Sequence, residues 1–169
     1  MTTKHSILVV DDEVDFLSSI TRLLRKEPYT VLTADNGEAA HTILSQKNVS
    51  IVLSDYMMPG IDGLTLLQQV RVQYPHILTI MLTALSEVEV AIKAINEAGV
   101  YKFFLKPIET HALKITLKRA LEYMDVVQER DDLRRKLSAR EALLQQLERS
   151  NPGITHVERD ADGFYVLKD

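Results

Sequence analysis

Polar side chains that can bind a metal ion or attack phosphorus stand at the ends of several short apolar runs. They are Asp11 and Asp12 after "ILVV", Asp55 after "SIVLS", Thr83 after "ILTIML" and Lys106 after "YKFFL". If the three carboxylates share one pocket, each raises the pKa of the others unless a positive charge compensates. A magnesium ion with oxygen ligands, together with a lysine, supplies that charge. Such an assembly suits phosphoryl transfer, in which a carboxylate can be the nucleophile.

The elements that must position these residues alternate along the chain. Five short, β-rich apolar runs predict buried strands, at residues 7–10, 30–34, 50–54, 77–82 and 101–105. Side chains at helical spacing predict four helices between the strands, namely Phe16, Ile20, Leu23 and Leu24; Ala39, Ala40, Ile43 and Leu44; Leu64, Leu67, Val70 and Arg71; and Val88, Ala91, Ile92 and Ile95. A fifth helix follows Pro107. The alternation predicts an α/β fold with a doubly wound, five-stranded parallel sheet.

The order of the strands decides whether the polar residues meet. Ligand sites of open parallel sheets lie at the carboxyl ends of the strands, near the point where the strand order reverses. In the order 2-1-3-4-5 the first and third strands are neighbours, which brings Asp11, Asp12 and Asp55 to one pocket. Thr83 and Lys106, at the ends of the fourth and fifth strands, should flank that pocket.

Four motifs carry a resemblance to a known family. They are "VVDDE" (9–13), "SDYMMPGIDG" (54–63), "LTA" (82–84) and "FFLKP" (103–107). Together they resemble the receiver domain of response regulators in two-component systems, over about residues 5–120. The resemblance implies a flavodoxin-like fold and a phosphoryl group passed from a histidine kinase or phosphotransfer protein to Asp55. It also implies a phosphoacceptor rather than an enzyme, one that assists its own phosphorylation and dephosphorylation.

The resemblance further implies the metal ligands. Asp12 and Asp55 are expected to bind Mg²⁺ directly, together with the backbone carbonyl of Met57. Asp11 is expected to act mainly through a bound water. The expected cofactor is therefore Mg²⁺, held at the ends of the first and third strands.

Three other side chains have roles that the resemblance implies, with alternatives for some. Lys106 and the hydroxyl of Thr83 are expected to contact the phosphoryl group. Phe103 matches the switch aromatic of the family, which turns inward when Thr83 is drawn to the phosphate; simple core packing is the alternative. Glu13 either begins the first helix, where an acid suits the helix dipole, or takes part in the site.

A different pattern follows Pro107. Residues 109–149 contain no Gly or Pro, which predicts one long helix or two with a break, whose first turns close the receiver domain. Farther on, spacings of 4, 3, 4 and 3 define the heptad seam of a coiled coil, formed by Leu133, Leu137, Arg140, Leu144 and Leu147. The predicted domains are a receiver at 1–120, a coiled-coil extension at 121–150 continuous with the fifth helix, and a hairpin-like tail or the start of a truncated domain at 151–169.

Composition excludes several classes of protein. The chain has 169 residues, a formal net charge of -4 and no cysteine, so it offers no bulk attraction to nucleic acid and no disulfide. No apolar run approaches the roughly 20 residues that span a bilayer, and the N-terminus does not resemble a secretory signal. We expect a soluble, cytoplasmic protein that has no membrane partner.

Three outputs remain open from the sequence. The first is homodimerisation or partner binding through the C-terminal helix, driven by repacking of the fourth and fifth helices; a solvated single helix is the alternative to pairing. The second is service as the N-terminal receiver and linker of a larger signalling enzyme with a PAS, cyclic-dinucleotide or kinase output, because the tail resembles the opening strands of a PAS-type domain. The third, a DNA-binding regulator, lacks a recognisable helix-turn-helix, and no direct DNA binding is expected.

Overall fold

The computed structural model describes residues 5–84 and 99–152, together with Glu89 and Ile92. Those two isolated residues are helical, and the rest of the predicted fourth helix lies outside the described residues. The predicted hairpin of the tail also lies outside them, since the description stops at Pro152.

Five parallel strands form one sheet in the order β2-β1-β3-β4-β5, which confirms the predicted fold class. The strands are β1 (Ser6–Val10), β2 (Thr30–Ala34), β3 (Ile51–Asp55), β4 (Leu78–Thr83) and β5 (Lys102–Leu105). Strands β3 and β4 end one residue later than predicted, because Asp55 still pairs with Leu82 and Thr83 pairs with Leu105. Asp55 and Thr83 are thus the last residues of their strands rather than the first residues after them.

Three helices connect the first four strands. They are α1 (Val14–Leu24), α2 (Gly37–Gln46) and α3 (Gly63–Gln73). The side chains of Asn36 and Asp62 cap α2 and α3 by accepting hydrogen bonds from backbone N–H groups of the first turn, as these residue types commonly do. Glu13 occupies the N-cap position of α1, but its side chain makes no capping hydrogen bond.

The central strands are buried on both faces of the sheet, as their continuous apolar runs predict. Every residue of Ile7–Val10 and of Ile51–Leu53 is fully buried. Phe103 on β5 is only partly buried and packs against the core cluster that includes Met81. The strand ends that carry the polar residues therefore rest on a rigid, close-packed scaffold.

The C-terminal helix, α4 (Thr110–Ser150), is the fifth helix of the prediction and runs without a break for 41 residues. At 1.5 Å per residue its length is about 60 Å. Its first turns bury Leu113, Thr116, Leu117, Ala120 and Leu121. Ile115, on the same turns, is 38% exposed, because the helical period turns it away from the buried face.

The chain divides into two compact units, Met1–Leu121 and Glu122–Asp169. The described part of the second unit is the remainder of α4, in which most residues are exposed. Within the described ranges, no helix combines the length and the apolar character needed to cross a membrane. The cytoplasmic location and the domain boundaries at residues 120 and 150 stay predictions.

Candidate functional site

Asp11 follows β1 directly and is completely buried. Its backbone N–H donates to the carbonyl of Ala34 at 3.1 Å, which extends the pairing of β1 with β2 by one bond. One carboxylate oxygen accepts from the backbone N–H of Glu13 at 2.9 Å. The buried carboxylate thus holds the start of α1, and its second oxygen is left to face the other strand ends.

Lys106 joins the ends of three strands. Its ammonium lies 2.7 Å from a carboxylate oxygen of Asp11, 2.7 Å from one of Asp55 and 3.5 Å from one of Glu13. It also lies 4.6 Å from the ring centroid of Phe16, a cation–π distance. We call Asp11, Glu13, Asp55 and Lys106 the charged cluster. Its ion pairs span most of the sequence, so only the folded sheet can form it.

The backbone fixes Lys106 and Asp55 as well. The N–H of Lys106 donates to the carbonyl of Thr83 at 2.8 Å, and the Lys106–Pro107 peptide bond is cis. At Gly63 a β-carbon would lie 1.8 Å from the carbonyl oxygen of Asp55. Only glycine permits that approach, so the start of α3 is set directly against the end of β3.

Burial and ion pairing shift the pKa values of two members of the cluster, Asp55 and Lys106. Burial raises the pKa of the Asp55 carboxyl above its ordinary value, although the hydrogen bond from Lys106 and the N–H of Met57 lower it in part. For Lys106, burial lowers the pKa, but the hydrogen bonds to Asp11 and Asp55 outweigh it and raise the pKa above its usual range. Lys106 therefore stays charged at neutral pH. Burial favours the protonated form of Asp55, and Lys106 partly offsets this by stabilising the carboxylate.

The other predicted site residues lie outside the ion pairs of the cluster. Asp12 is exposed. Met57 is 64% exposed. Thr83 is fully buried and donates to the carbonyl of Ala84 at 3.5 Å. Phe103 lies on the neighbouring strand β5. The structure thus brings Asp11, Asp55 and Lys106 into contact and leaves Asp12 facing solvent beside them.

The family model for the response regulator receiver domain matches residues 7–118 of this sequence. The chain belongs to the response regulator receiver domain family. Receiver domains are in general signalling modules rather than enzymes.

This sequence is similar to part of longer curated proteins and to nearly the whole of some solved structures. The hydrogenase transcriptional regulatory protein HoxA of Cupriavidus necator is 36% identical over 117 residues, which are 69% of this chain and 24% of HoxA. This chain thus spans about a quarter of the length of that curated relative. Among solved structures, the receiver domain of an HD domain-containing protein from Pseudomonas fluorescens Pf-5 shares 34% identity at a TM-score of 0.69, over 72% of this chain and 98% of that one. An adenylate cyclase structure from Rhodopirellula baltica shares 28% identity at a TM-score of 0.73, over 78% and 98%.

The donor atoms of the receiver decide whether it can hold Mg²⁺. Asp11 and Asp55 already hold one cationic group, the Lys106 ammonium, between them. Carboxylate oxygens are the hard donors that Mg²⁺ prefers, and Asp12 offers another at the same strand end. In the described ranges, no three His, Cys, Asp or Glu side chains converge as metal ligands; Asp12 is exposed, and Lys106 occupies the space between the other two. The donor chemistry of Asp11, Asp12 and Asp55 fits Mg²⁺.

Two features of the receiver site were not predicted from its sequence. Phe16 was expected only as a marker of the first helix, yet its ring lies beside the Lys106 ammonium. Gly63 was expected only as part of a motif, and its close approach to Asp55 depends on how α3 meets β3. Glu13 precedes α1 as its N-cap residue, and its carboxylate lies 3.5 Å from the Lys106 ammonium. Its participation in the site stays a prediction.

Proposed function

We propose that Asp55 accepts a phosphoryl group from the phosphohistidine of a histidine kinase or phosphotransfer protein. The observation that carries the proposal is the Lys106 ammonium, which lies 2.7 Å from both Asp55 and Asp11 at the ends of the central strands. An Asp55 oxygen attacks phosphorus and forms the new P–O bond. The P–N bond to the imidazole breaks at the same time, and the leaving imidazole takes up a proton from solvent.

Electrostatic stabilisation by this chain's own residues supports the transfer. The ammonium of Lys106 is held in place by two carboxylates, so it can face phosphoryl oxygens without reorganising. Asp12, Asp55 and the Met57 carbonyl, with Asp11 through a water, would hold Mg²⁺. The ion, when bound, supplies positive charge that offsets the carboxylates and the phosphoryl oxygens.

The register of β4 and β5 supports a coupling of Thr83 to Phe103. Phe103 pairs with Met81, two residues before Thr83. Because side chains alternate along a strand, Phe103 and Thr83 face the same side of the sheet. A Thr83 hydroxyl that moves toward a phosphoryl group would open space on that side, and the partly buried Phe103 is positioned to turn into it.

The output we propose is homodimerisation or partner binding through α4. Its first turns are buried in the receiver, whereas the leucines of the heptad seam are exposed, with Leu137 at 58%. Repacking at the base of the helix can therefore alter a surface that is suited to pair with another helix. A solvated single helix would leave this apolar stripe in water, which is unfavourable.

A second candidate function is service as the receiver of a longer signalling protein. It is favoured by the relatives, since this chain matches about a quarter of HoxA, named a transcriptional regulatory protein. Direct DNA contact by the C-terminal helix is disfavoured, because residues 108–150 carry nine Lys and Arg against eight Asp and Glu. The mass of the endogenous protein, detected in cell extract with an antibody to the receiver, would decide between output through α4 alone and service in a longer signalling protein. Retention on DNA at low salt would contradict the expectation of no DNA contact.

The phosphoacceptor assignment is tested with a small donor that carries a P–N bond, phosphoramidate. Intact-mass spectrometry should show one added phosphoryl group with Mg²⁺ and none with EDTA. The Asp55→Asn variant should stay unmodified. The control is Asp35→Asn, which changes an exposed aspartate directly after β2 and should be modified like the parent. Full modification of the Asp55→Asn variant would refute the assignment.

A further inference from the structure

The exposed face of α4 has the pattern of one half of a coiled coil. With heptad positions lettered a to g, Leu137 and Leu144 are a residues and Leu133 and Leu147 are d residues. Their side chains are 38–58% exposed. Monomeric proteins rarely leave several large apolar side chains of one face together in water. A second helix is therefore the expected cover for it.

The charges beside the stripe identify the occupant. Glu129 and Lys136 fall at g positions, and Arg134 and Glu141 fall at e positions. In a parallel, in-register pair, each g residue lies beside the e residue of the next heptad on the other helix. Glu129 then meets Arg134 of the second copy, and Lys136 meets Glu141. Both pairs are of opposite charge, and the twofold symmetry forms each of them twice.

We infer that α4 pairs with α4 of a second copy of this chain as a parallel, in-register coiled coil. The inference rests on the homodimer of the proposed function and adds its orientation and register. Each of the four leucines of the seam then packs on the same leucine of the second copy. Arg130 and Arg140, also at seam positions, face their own copies, so they must extend to solvent and they weaken the dimer.

The antiparallel alternative satisfies fewer of these groups. In antiparallel pairs e residues face e residues and g residues face g residues. When Leu133 is set opposite Leu144, Arg134 still meets Glu141, but Leu137 packs on Arg140. Lys136 then faces Leu143 and loses its acidic partner. Parallel pairing is therefore favoured by both the leucine layers and the charges.

Disulfide trapping reads the orientation directly, because the chain contains no cysteine. Under mild oxidation the full-length Leu144→Cys variant should cross-link to itself, since parallel pairing brings identical a residues together. The matched Ser138→Cys variant, at a b position that faces away from the seam, should not. If Leu144→Cys cross-links only when mixed with Leu133→Cys, the pairing is antiparallel and the inference is overturned.

Charge exchange gives a second readout that needs no cysteine. Glu129→Arg and Arg134→Glu should each raise the dissociation constant of the dimer about tenfold. The double variant should restore the affinity, because the exchanged charges meet across the parallel interface. In the antiparallel pair the double variant stays weak, since Glu at position 134 would face Glu141.

Light scattering separates failure of the inference from failure of the proposed function. A chain that stays monomeric with and without beryllofluoride, a phosphoryl mimic, overturns both the dimer and its orientation. A dimer in which Leu144→Cys does not cross-link to itself overturns the orientation alone and leaves the homodimer intact.

Discussion

The charged cluster and the heptad seam reverse the usual distribution of polar and apolar groups in opposite ways. The cluster buries carboxylates at the ends of apolar strands and compensates them with Lys106 from within the chain. The seam exposes leucines, and their spacing along one helix is enough to align them. Substitutions in the cluster should therefore change the single chain itself. Substitutions in the seam should change only its association with another molecule.

The largest expected effect is a loss of phosphorylation without a loss of stability, at the site of the charged cluster. Asp12→Ala should abolish Mg²⁺-dependent phosphorylation by phosphoramidate, measured by intact mass. The same change should leave the free energy of unfolding unchanged or slightly raised in metal-free buffer, because Asp12 is exposed and adds negative charge beside Asp11.

The control for that variant is Asp15→Ala, which removes an exposed acid from the first turn of α1. It should be phosphorylated like the parent. Full phosphorylation of the Asp12→Ala variant would mean that this aspartate has no part in metal binding.

Gly63→Ala should lower the free energy of unfolding by about 3 kcal/mol, the upper end of overpacking effects. The added methyl group would lie 1.8 Å from the Asp55 carbonyl, so α3 or β3 must shift. Gly60→Ala is the matched control, because Gly60 has a positive φ of 80° but open space around it. It should cost about 1 kcal/mol for the backbone conformation alone. Equal urea-denaturation midpoints for the two variants would disprove the close approach.

Lys106→Ala should lower the free energy of unfolding by about 2 kcal/mol, the range of hydrogen bonds to charged groups. It leaves the fully buried Asp11 and the nearly buried Asp55 without their shared cation. Lys102→Ala is the control, because Lys102 is an exposed lysine at the start of β5 whose ammonium donates to the hydroxyl of Thr116. An equal loss for both lysines, measured by urea denaturation, would show that the ion pairs of Lys106 add no more to the free energy of unfolding than a surface hydrogen bond does.

The sequence predicts the meeting of Asp11, Asp55 and Lys106 because each residue marks a strand end. The strand order that brings them together comes from the resemblance to receiver domains, since the α/β alternation alone predicts only a parallel sheet. The sequence does not predict the exact ends of β3 and β4, since pairing with a neighbour extends each strand by one residue. It also misses Leu17 and Leu66, which are buried. In these helices the buried face depends on how the helix is rotated against the sheet, and a wide apolar stripe does not fix that rotation.

Asp55→Asn should raise the free energy of unfolding at neutral pH, by less than Lys106→Ala lowers it. Burial raises the pKa of Asp55 in the folded state, so stability falls as pH rises from the unfolded pKa through the folded pKa. The gain from the neutral amide should be present above that window and vanish below about pH 4, the ordinary range of aspartate. Thermal melts at the two pH values measure it, and a gain that is equal at both would contradict the assigned cause.

The smallest expected effect concerns the heptad seam, and it compares the stability effects of two leucines of α4. Leu144→Ala should change the free energy of unfolding of the receiver by no more than about 0.5 kcal/mol in dilute, monomeric solution, because the side chain is 42% exposed. Leu117→Ala, on the same helix but fully buried, should cost about 2–5 kcal/mol. At high concentration the Leu144 variant should lose dimer mass in light scattering, because alanine leaves a gap in a leucine layer. A large loss in the dilute chain would show that Leu144 packs within its own molecule, and the contrast between the two regions would fail.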